Sequence, residues 1–324
     1  MKKKLVCICM SLMLAVLPGC GMLDKARNLD TAYAQHYNKN ESDLKEKVLS
    51  DKWQSKASQV AVISKQKASQ TEYDGVREAL LVNNHTNEVL VSQNVFDKAY
   101  PASTTKIMTA LLVLENCNLK DTVTIKKDIT FDDSAAVAIH LKAGDKISVE
   151  ALLNALIVMS ANDAAVALAQ KVAGSEKKFI QMMNQRAKEL GATNTHFANP
   201  NGLHLKNHYT TAYDLYLIFK ELSKHNQYFN IAGKANSYIE YVNRKNQLQA
   251  YNMSSTNQYI LGTYNLPYQV FMIGGKTGTT SQAGSCLILL TKNKDGEEFI
   301  SVILHGSNKS VLYHTMTEVL SKEN

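Results

Sequence analysis

The sequence predicts an α/β fold in which terminal strands and a last helix enclose an all-helical insert. Short apolar runs of strand length sit near both ends of the region 75–324, and longer runs with helical spacing fill its middle. With 324 residues, 45% of them hydrophobic, the chain can bury one substantial core and still carry extra segments.

The extra segments come first. Lys2, Lys3 and Lys4 precede an apolar run from Leu5 to Leu17 that is short for a membrane span, so residues 1–20 are expected to be a signal peptide. The run ends in Leu17-Pro18-Gly19-Cys20, which resembles a bacterial lipobox. That resemblance implies cleavage after Gly19, acylation of Cys20 and an exported lipoprotein on the extracytoplasmic face of the cell membrane. An exported chain with an unlipidated Cys20 stays open, and Ala32-Tyr33-Ala34 lies too far beyond the apolar run to be the cleavage site. Residues 21–74 form a polar, lysine-rich spacer in which Trp53 hints at a local contact.

The third segment, 75–324, is the folded domain. Glu78 to Asn83 and Glu88 to Val91 read as two strands across the turn Asn84-His85-Thr86-Asn87. Helical patterns follow at Ser103–Glu115, Val149–Val158, Asp163–Ala173, Glu176–Leu190, which stops at Gly191, and Thr211–Leu222. Strands return at Val270–Ile273, Cys286–Thr291 and Phe299–Leu304, and a helix over Lys309–Leu320 closes the domain.

Charge and cysteines exclude some functions. The net charge of +7 suits an anionic surface such as phospholipid or an acidic wall polymer, or simply a solvated lysine-rich exterior. Arginine and aromatic residues do not cluster, which argues against nucleic acid. Cys7 and Cys9 lie in the signal and Cys20 at its end, leaving Cys117 and Cys286 in the domain. Two cysteines make no disulfide framework, so buried thiols are expected, with a single bridge left open.

Three short motifs carry the chemistry. Ser103 and Lys106 stand three apart at the start of an apolar helix, where hydroxyl and amine can meet. Serine is a weak nucleophile until a base takes its proton, and lysine is such a base only when burial or a nearby cation lowers its pKa. The spacing alone is weak. It recurs at Ser42/Lys45, Ser64/Lys67 and Ser175/Lys178, all in polar surroundings, and a helix-cap serine with a surface lysine would look the same. Ser160-Ala161-Asn162 joins two apolar helices, where Ser can relay a proton and Asn can donate and accept; breaking and capping helices is the alternative role for both. A second Ser-x-Asn, Ser255-Thr256-Asn257, lies in a polar loop region. Lys276-Thr277-Gly278, followed by Thr279, ends an apolar strand; Lys276 and Thr277 could bind a carboxylate and Gly278 permits close backbone approach.

In this order the three motifs are the signature of penicillin-interacting serine enzymes. With Tyr100–Thr109, Ala161–Ala165, Thr195–Leu203 and Gly275–Thr280, the sequence from about Gly75 onward resembles the low-molecular-mass penicillin-binding proteins that act as D-alanyl-D-alanine carboxypeptidases, peptidase family S11. The resemblance implies a β-lactamase/transpeptidase-like fold, an antiparallel sheet flanked by helices with an all-helical subdomain. It also implies that Ser103, deprotonated by Lys106, attacks the D-Ala-D-Ala bond of peptidoglycan stem peptides. Backbone N–H groups of Ser103 and Thr279 would hold the oxyanion. Ser160 and Lys276 would pass a proton to the leaving D-alanine, and Asn162 would hold the peptide. β-Lactams would be trapped on Ser103, and no cofactor is implied.

Two departures stand out. Many relatives carry a further β-rich domain with an amphipathic membrane anchor, whereas this sequence stops soon after its last helix, which would leave anchoring to the N-terminal lipid. Many also place an arginine shortly after the last strand, where this chain reads His305-Gly306-Ser307-Asn308-Lys309. Carboxylate binding would then rest on Lys276, Thr277 and Thr279, with Lys309 as a helper. A catalytically idle wall-binding or sensor lipoprotein on the same scaffold is one alternative. A class A β-lactamase is another, disfavoured because the chain lacks a Glu-x-x-Leu-Asn segment between Asn162 and Lys276. His204 and His208 have the spacing of two zinc ligands but no glutamate between them, so no metal is expected.

Overall fold

The computed structural model describes residues 60–63, 72–132 and 136–324. The signal segment, Cys20, Trp53 and the pairs Ser42/Lys45 and Ser64/Lys67 lie outside the described residues.

In β1 (Glu78–Asn83) six consecutive residues are buried, because the strand is covered on both faces. Alternation still sorts its side chains: Leu80 and Val82 enter one core, Ala79 and Leu81 the other. β1 pairs with β2 (Val89–Gln93) through the predicted turn. A 3₁₀ turn at Ala102–Thr105 then leads into α1 (Lys106–Asn116), whose buried residues Lys106–Val113 run round the whole helix, the mark of a central helix.

β3 (Thr122–Thr124) and β4 (Lys146–Ser148) precede α2 (Val149–Val158), which starts where the Ser148 hydroxyl accepts the Ala151 N–H at 3.1 Å. α3 (Asn162–Ala173) ends at Gly174, whose φ of +76° suits a residue without Cβ. α4 (Glu176–Glu189), α5 (Ala212–Leu222) and α6 (Asn226–Ala232) complete the helical region. β5 (Asn236–Val242) and β6 (Leu248–Ser254) form a hairpin, and β7 (Phe271–Thr280), β8 (Gly284–Lys292), β9 (Glu298–Gly306) and α7 (Lys309–Leu320) end the chain.

Among the described residues the main sheet has the order β2-β1-β9-β8-β7 and is antiparallel throughout. α1 and α5 contribute to the core on one face, and α7 covers the other with Leu312, Tyr313, Met316, Val319 and Leu320. Each of these side chains contributes roughly 1.5–3 kcal/mol by leaving water. This is the antiparallel sheet flanked by helices that the resemblance implies.

The helical subdomain is present, and with it a second sheet, β3-β4-β5-β6, that the sequence did not reveal. Its hairpin strands bury little: Ile239 in β5 and Met253 in β6 are their buried residues. Their inward face mixes Ser237 and Gln249 with Ile239, Tyr241, Tyr251 and Met253, while Tyr238 and Leu248 point outward, so the alternation in burial does not show as alternation in hydrophobicity. Val60–Ile63, inside the predicted spacer, touches the fold. Ala61 is fully buried, its N–H donates to the Tyr216 hydroxyl at 3.0 Å, and its carbonyl accepts from Tyr213 at 2.7 Å. Cys286 is buried and Cys117 half-buried, and both are free thiols.

Candidate active site

Pro101 enters the 3₁₀ turn with φ −75°, and Ala102 follows in the left-handed region at φ +47°. A residue with a Cβ is held there at a cost of roughly 1–2 kcal/mol, so surrounding contacts must hold it. Ser103 lies in this turn and not, as the helical pattern suggests, within the α-helix, which begins at Lys106. The tighter winding eclipses positions i and i+3 and brings Ser103 and Lys106 together.

Lys106 is 1% exposed, and its Nζ lies 2.9 Å from Ser103 Oγ, 2.9 Å from Asn162 Oδ1 and 2.6 Å from the Asn201 carbonyl oxygen. The latter two can only accept. A neutral amine therefore gives its two hydrogens to Asn162 and Asn201 and turns its lone pair to the Ser103 hydroxyl. Burial, then the nearby Lys276 ammonium, hold Lys106 well below the usual ammonium range, against the opposing pull of Asp163. The result is the arrangement an activated serine requires.

Asn162 opens α3 and is buried. Its Oδ1 takes the Lys106 hydrogen and one Nδ2 hydrogen goes to the Val137 carbonyl at 3.0 Å, which leaves the other amide hydrogen for a ligand. Asp163, read in the sequence only as a helix-start residue, accepts the Ile139 and Leu141 N–H groups at 3.1 and 3.0 Å and so fixes the segment above the site. Ser160 has φ +68°, and its buried Oγ has no hydrogen-bond partner among the described residues.

β7 continues through Lys276 to Thr280, where the sequence suggested that the strand would stop. Among the described residues it is the edge strand of the main sheet, and the Ala102–Thr105 turn packs against it. At Gly278 a Cβ would lie 2.8 Å from Ser103 N and 3.0 Å from both Pro101 O and Thr104 N. Glycine thus lets the strand backbone reach the Ser103 turn and brings the neighbouring Thr279 with it. Lys276 is buried, donates to the Thr277 carbonyl at 3.0 Å and is brought down by burial to about 7.

Two hollows of about 190 and 590 Å³ share Ser103, Val137, Ser160 and Thr279 as lining. The smaller also takes in Thr256, Thr277, Gly278 and Lys309, and the larger Asn162, His204 and Gln282. A hollow of about 780 Å³ between α1 and α4, lined by Leu112, Glu115 and Arg186 among others, holds no paired nucleophile and base. The chemistry therefore belongs to the smaller pair. The structure brings the predicted residues Ser103, Lys106, Ser160, Asn162 and Lys276–Thr279 to one place.

Sequence reasoning missed two contributors. Thr256, in the second Ser-x-Asn, comes 2.5 Å from the Thr277 hydroxyl. Asn201 acts through its main-chain carbonyl, which any residue would supply, so no side-chain signal could mark it. Its loop was visible only as a stretch of the family resemblance.

The comparisons with known proteins agree with this geometry. A family model described as D-alanyl-D-alanine carboxypeptidase matches residues 64–308. The D-alanyl-D-alanine carboxypeptidase DacF of Bacillus subtilis is 33% identical over 247 residues, covering 75% of this chain and 61% of the relative. DacC of Escherichia coli is 32% identical over 251 residues, 75% of this chain and 59% of the relative. The chain thus spans about three fifths of the length of these curated relatives. Among solved structures, a mutant of the Streptomyces K15 DD-transpeptidase superposes with a TM-score of 0.70 at 27% identity, covering 78% of this chain and 99% of that one. Penicillin-binding protein D2 of Listeria monocytogenes, in its cefotaxime-bound form, gives 0.66 at 26% identity, covering 79% and 99%.

Proposed function

Because the chain belongs to the D-alanyl-D-alanine carboxypeptidase family, peptidase family S11, we propose that it removes the terminal D-alanine from peptidoglycan stem peptides through an acyl-enzyme on Ser103. The observation that carries the proposal is the 2.9 Å approach of Ser103 Oγ to a buried lysine whose other acceptors are carbonyl oxygens.

The steps follow from the groups in place. Lys106 takes the Ser103 proton as Oγ attacks the carbonyl between the two D-alanines. The oxyanion turns to the N–H groups of Ser103 and Thr279, which Gly278 allows to converge. Ser160, whose hydroxyl has no hydrogen-bond partner among the described residues, carries a proton to the departing D-alanine amine, as the resemblance implies for it together with Lys276. Asn162 gives its spare amide hydrogen to the peptide. Thr277, Thr279 and Lys309 line the cavity and receive the terminal carboxylate, with Thr256 holding Thr277 in place and Lys276 as a buried charge behind them. Water then releases the shortened peptide. A β-lactam acylates the same serine and leaves slowly, for the chain offers no Glu-x-x-Leu-Asn segment to activate deacylating water. The lipobox-like Leu17-Pro18-Gly19-Cys20 supports export and a lipid anchor at Cys20 that holds the enzyme at the outer face of the cell membrane.

Incubation with a fluorescent penicillin and with diacetyl-Lys-D-Ala-D-Ala tests the proposal. A persistent label lost in Ser103→Ala, together with D-alanine release, is the expected outcome. Rapid penicillin turnover would mean a β-lactamase, and neither label nor release would mean an idle scaffold.

A further inference from the structure

His208 lies outside the three motifs and is 2% exposed. Both its ring nitrogens are engaged. The Ala198 N–H donates to Nδ1 at 3.1 Å, so Nδ1 carries a lone pair and the ring hydrogen sits on Nε2. Nε2 lies 2.8 Å from Thr105 Oγ1 and donates to it. The Thr105 hydroxyl in turn donates to the Ala102 carbonyl at 2.8 Å. Three hydrogen bonds in series therefore connect the loop at Ala198 to the residue before the nucleophile.

The end of the series matters because the Ala102 carbonyl and the Ser103 N–H belong to one peptide unit. In a trans peptide these groups point in opposite directions. A bond that draws the carbonyl to Thr105 turns the Ser103 N–H the other way, and polarising the carbonyl strengthens that N–H as a donor. The unit needs such support, since Ala102 is held at φ +47°. Gly202, at φ +85°, packs so close that a Cβ would lie 1.9 Å from the Ala102 oxygen, so only glycine there leaves this carbonyl its place. Burial, then His196, His204 and Lys106, hold the imidazole down to about 3, so the ring stays neutral at neutral pH and its two bonds keep the hydrogen on Nε2.

Resting on the acyl-enzyme reading above, we propose that His208 is a positioning residue which, through Thr105, orients the Ala102–Ser103 peptide so that the Ser103 N–H faces the developing oxyanion. The side chain does not touch the substrate. It should therefore govern the acylation step and leave ground-state binding alone.

The test separates the acylation rate constant from the preceding binding constant for a fluorescent penicillin, with thermal melting alongside. His208→Asn keeps an acceptor for Ala198 but falls short of Thr105, and Thr105→Val removes the bridge with little change in shape. Each should slow acylation by about tenfold to a hundredfold while binding stays within about twofold. The double variant should be no slower than the worse single one, because both cut the same series. His208→Gln, whose amide reaches the Nε2 position, and Thr105→Ser should restore most of the rate. If His208→Asn does not fold, Thr105→Val carries the same expectation. Full-rate acylation in Thr105→Val, multiplying effects in the double variant, or a loss confined to binding would each overturn the positioning role while wild-type labelling leaves the acyl-enzyme reading intact. A wild-type protein that takes no label would overturn both.

Discussion

Ser103–Lys106 and Ser175–Lys178 share a spacing, and each pair stands where a helix begins. Ser175 has extended backbone at φ −157°, and its hydroxyl accepts the Lys178 N–H at 3.3 Å, which makes it an N-cap. Lys178 is exposed. Ser103 caps nothing: it sits inside a 3₁₀ turn, with its hydroxyl against the Lys106 amine and its lysine buried beneath carbonyl acceptors. The same four-residue pattern thus gives a helix cap in one place and, in the proposed function, a nucleophile with its base in the other. Surroundings decide which, because an exposed lysine keeps its proton and a buried one is driven to lose it.

The largest effects expected are those that break this contrast at the active pair. Ser103→Ala should abolish both the penicillin label and D-alanine release, and Lys106→Ala should slow acylation by roughly 10²–10⁴-fold. Ser175→Ala and Lys178→Ala should leave acylation within about twofold of wild type. Rates for the four variants, measured side by side, would dissolve the contrast if the α4 pair mattered as much.

A second prediction concerns charge. Acylation needs neutral Lys106, so its rate should fall as pH drops and the amine gains a proton. The Lys276 ammonium is one reason that the proton is lost early. In Lys276→Ala the proton should stay to higher pH, and the acid limb of the acylation profile should move upward. An unmoved limb would leave burial alone as the cause. In the wild type, Lys276 loses its own proton near pH 7, so carboxylate-bearing ligands should bind more weakly above that point.

Glu78 tests whether burial shifts a group with no catalytic partner. It is fully buried, 3.3 Å from Arg77 Nε, and burial pushes its carboxyl up to about 7, with Arg77 opposing. The folded state holds this proton to higher pH than the unfolded chain. Its contribution to stability is therefore complete below the unfolded carboxylate range and fades as pH rises through about 7. Denaturant melts across that interval should show the wild type losing on the order of 1–3 kcal/mol more than Glu78→Gln. The smallest effect belongs to the cap: Ser175→Ala should cost about 1 kcal/mol in the same melts.

What could be read early was local. Ser103 with Lys106, Ser160 with Asn162, and Lys276 to Thr279 are close neighbours in the chain, and their residue types are unusual enough in combination to stand out. The partners that complete the site are distant. Asn201 meets Lys106 across 95 residues, and His208 meets Thr105 across 103. Neither contact has a spacing to recognise, and one of them uses only the main chain. The strands β5 and β6 were hidden for a different reason: their inward face includes Ser237 and Gln249 and their outward face Tyr238 and Leu248, so burial alternates without an alternation of residue type.

The sequence by itself determined the apolar strands of the main sheet, the caps and glycines that end its helices, and the three motifs with their order. All of these are fixed by residues within a few positions of one another, where backbone preference and periodicity act. The motif order and the apolar surroundings of Ser103–Lys106 already set that pair apart from the other Ser-x-x-Lys pairs. Tertiary structure alone supplied the contacts that can make its lysine a base. Burying Lys106, placing Lys276 near it and folding Asn162 and Asn201 onto its amine required elements far apart in the chain to pack together, and only that packing removes the water that would keep a lysine charged.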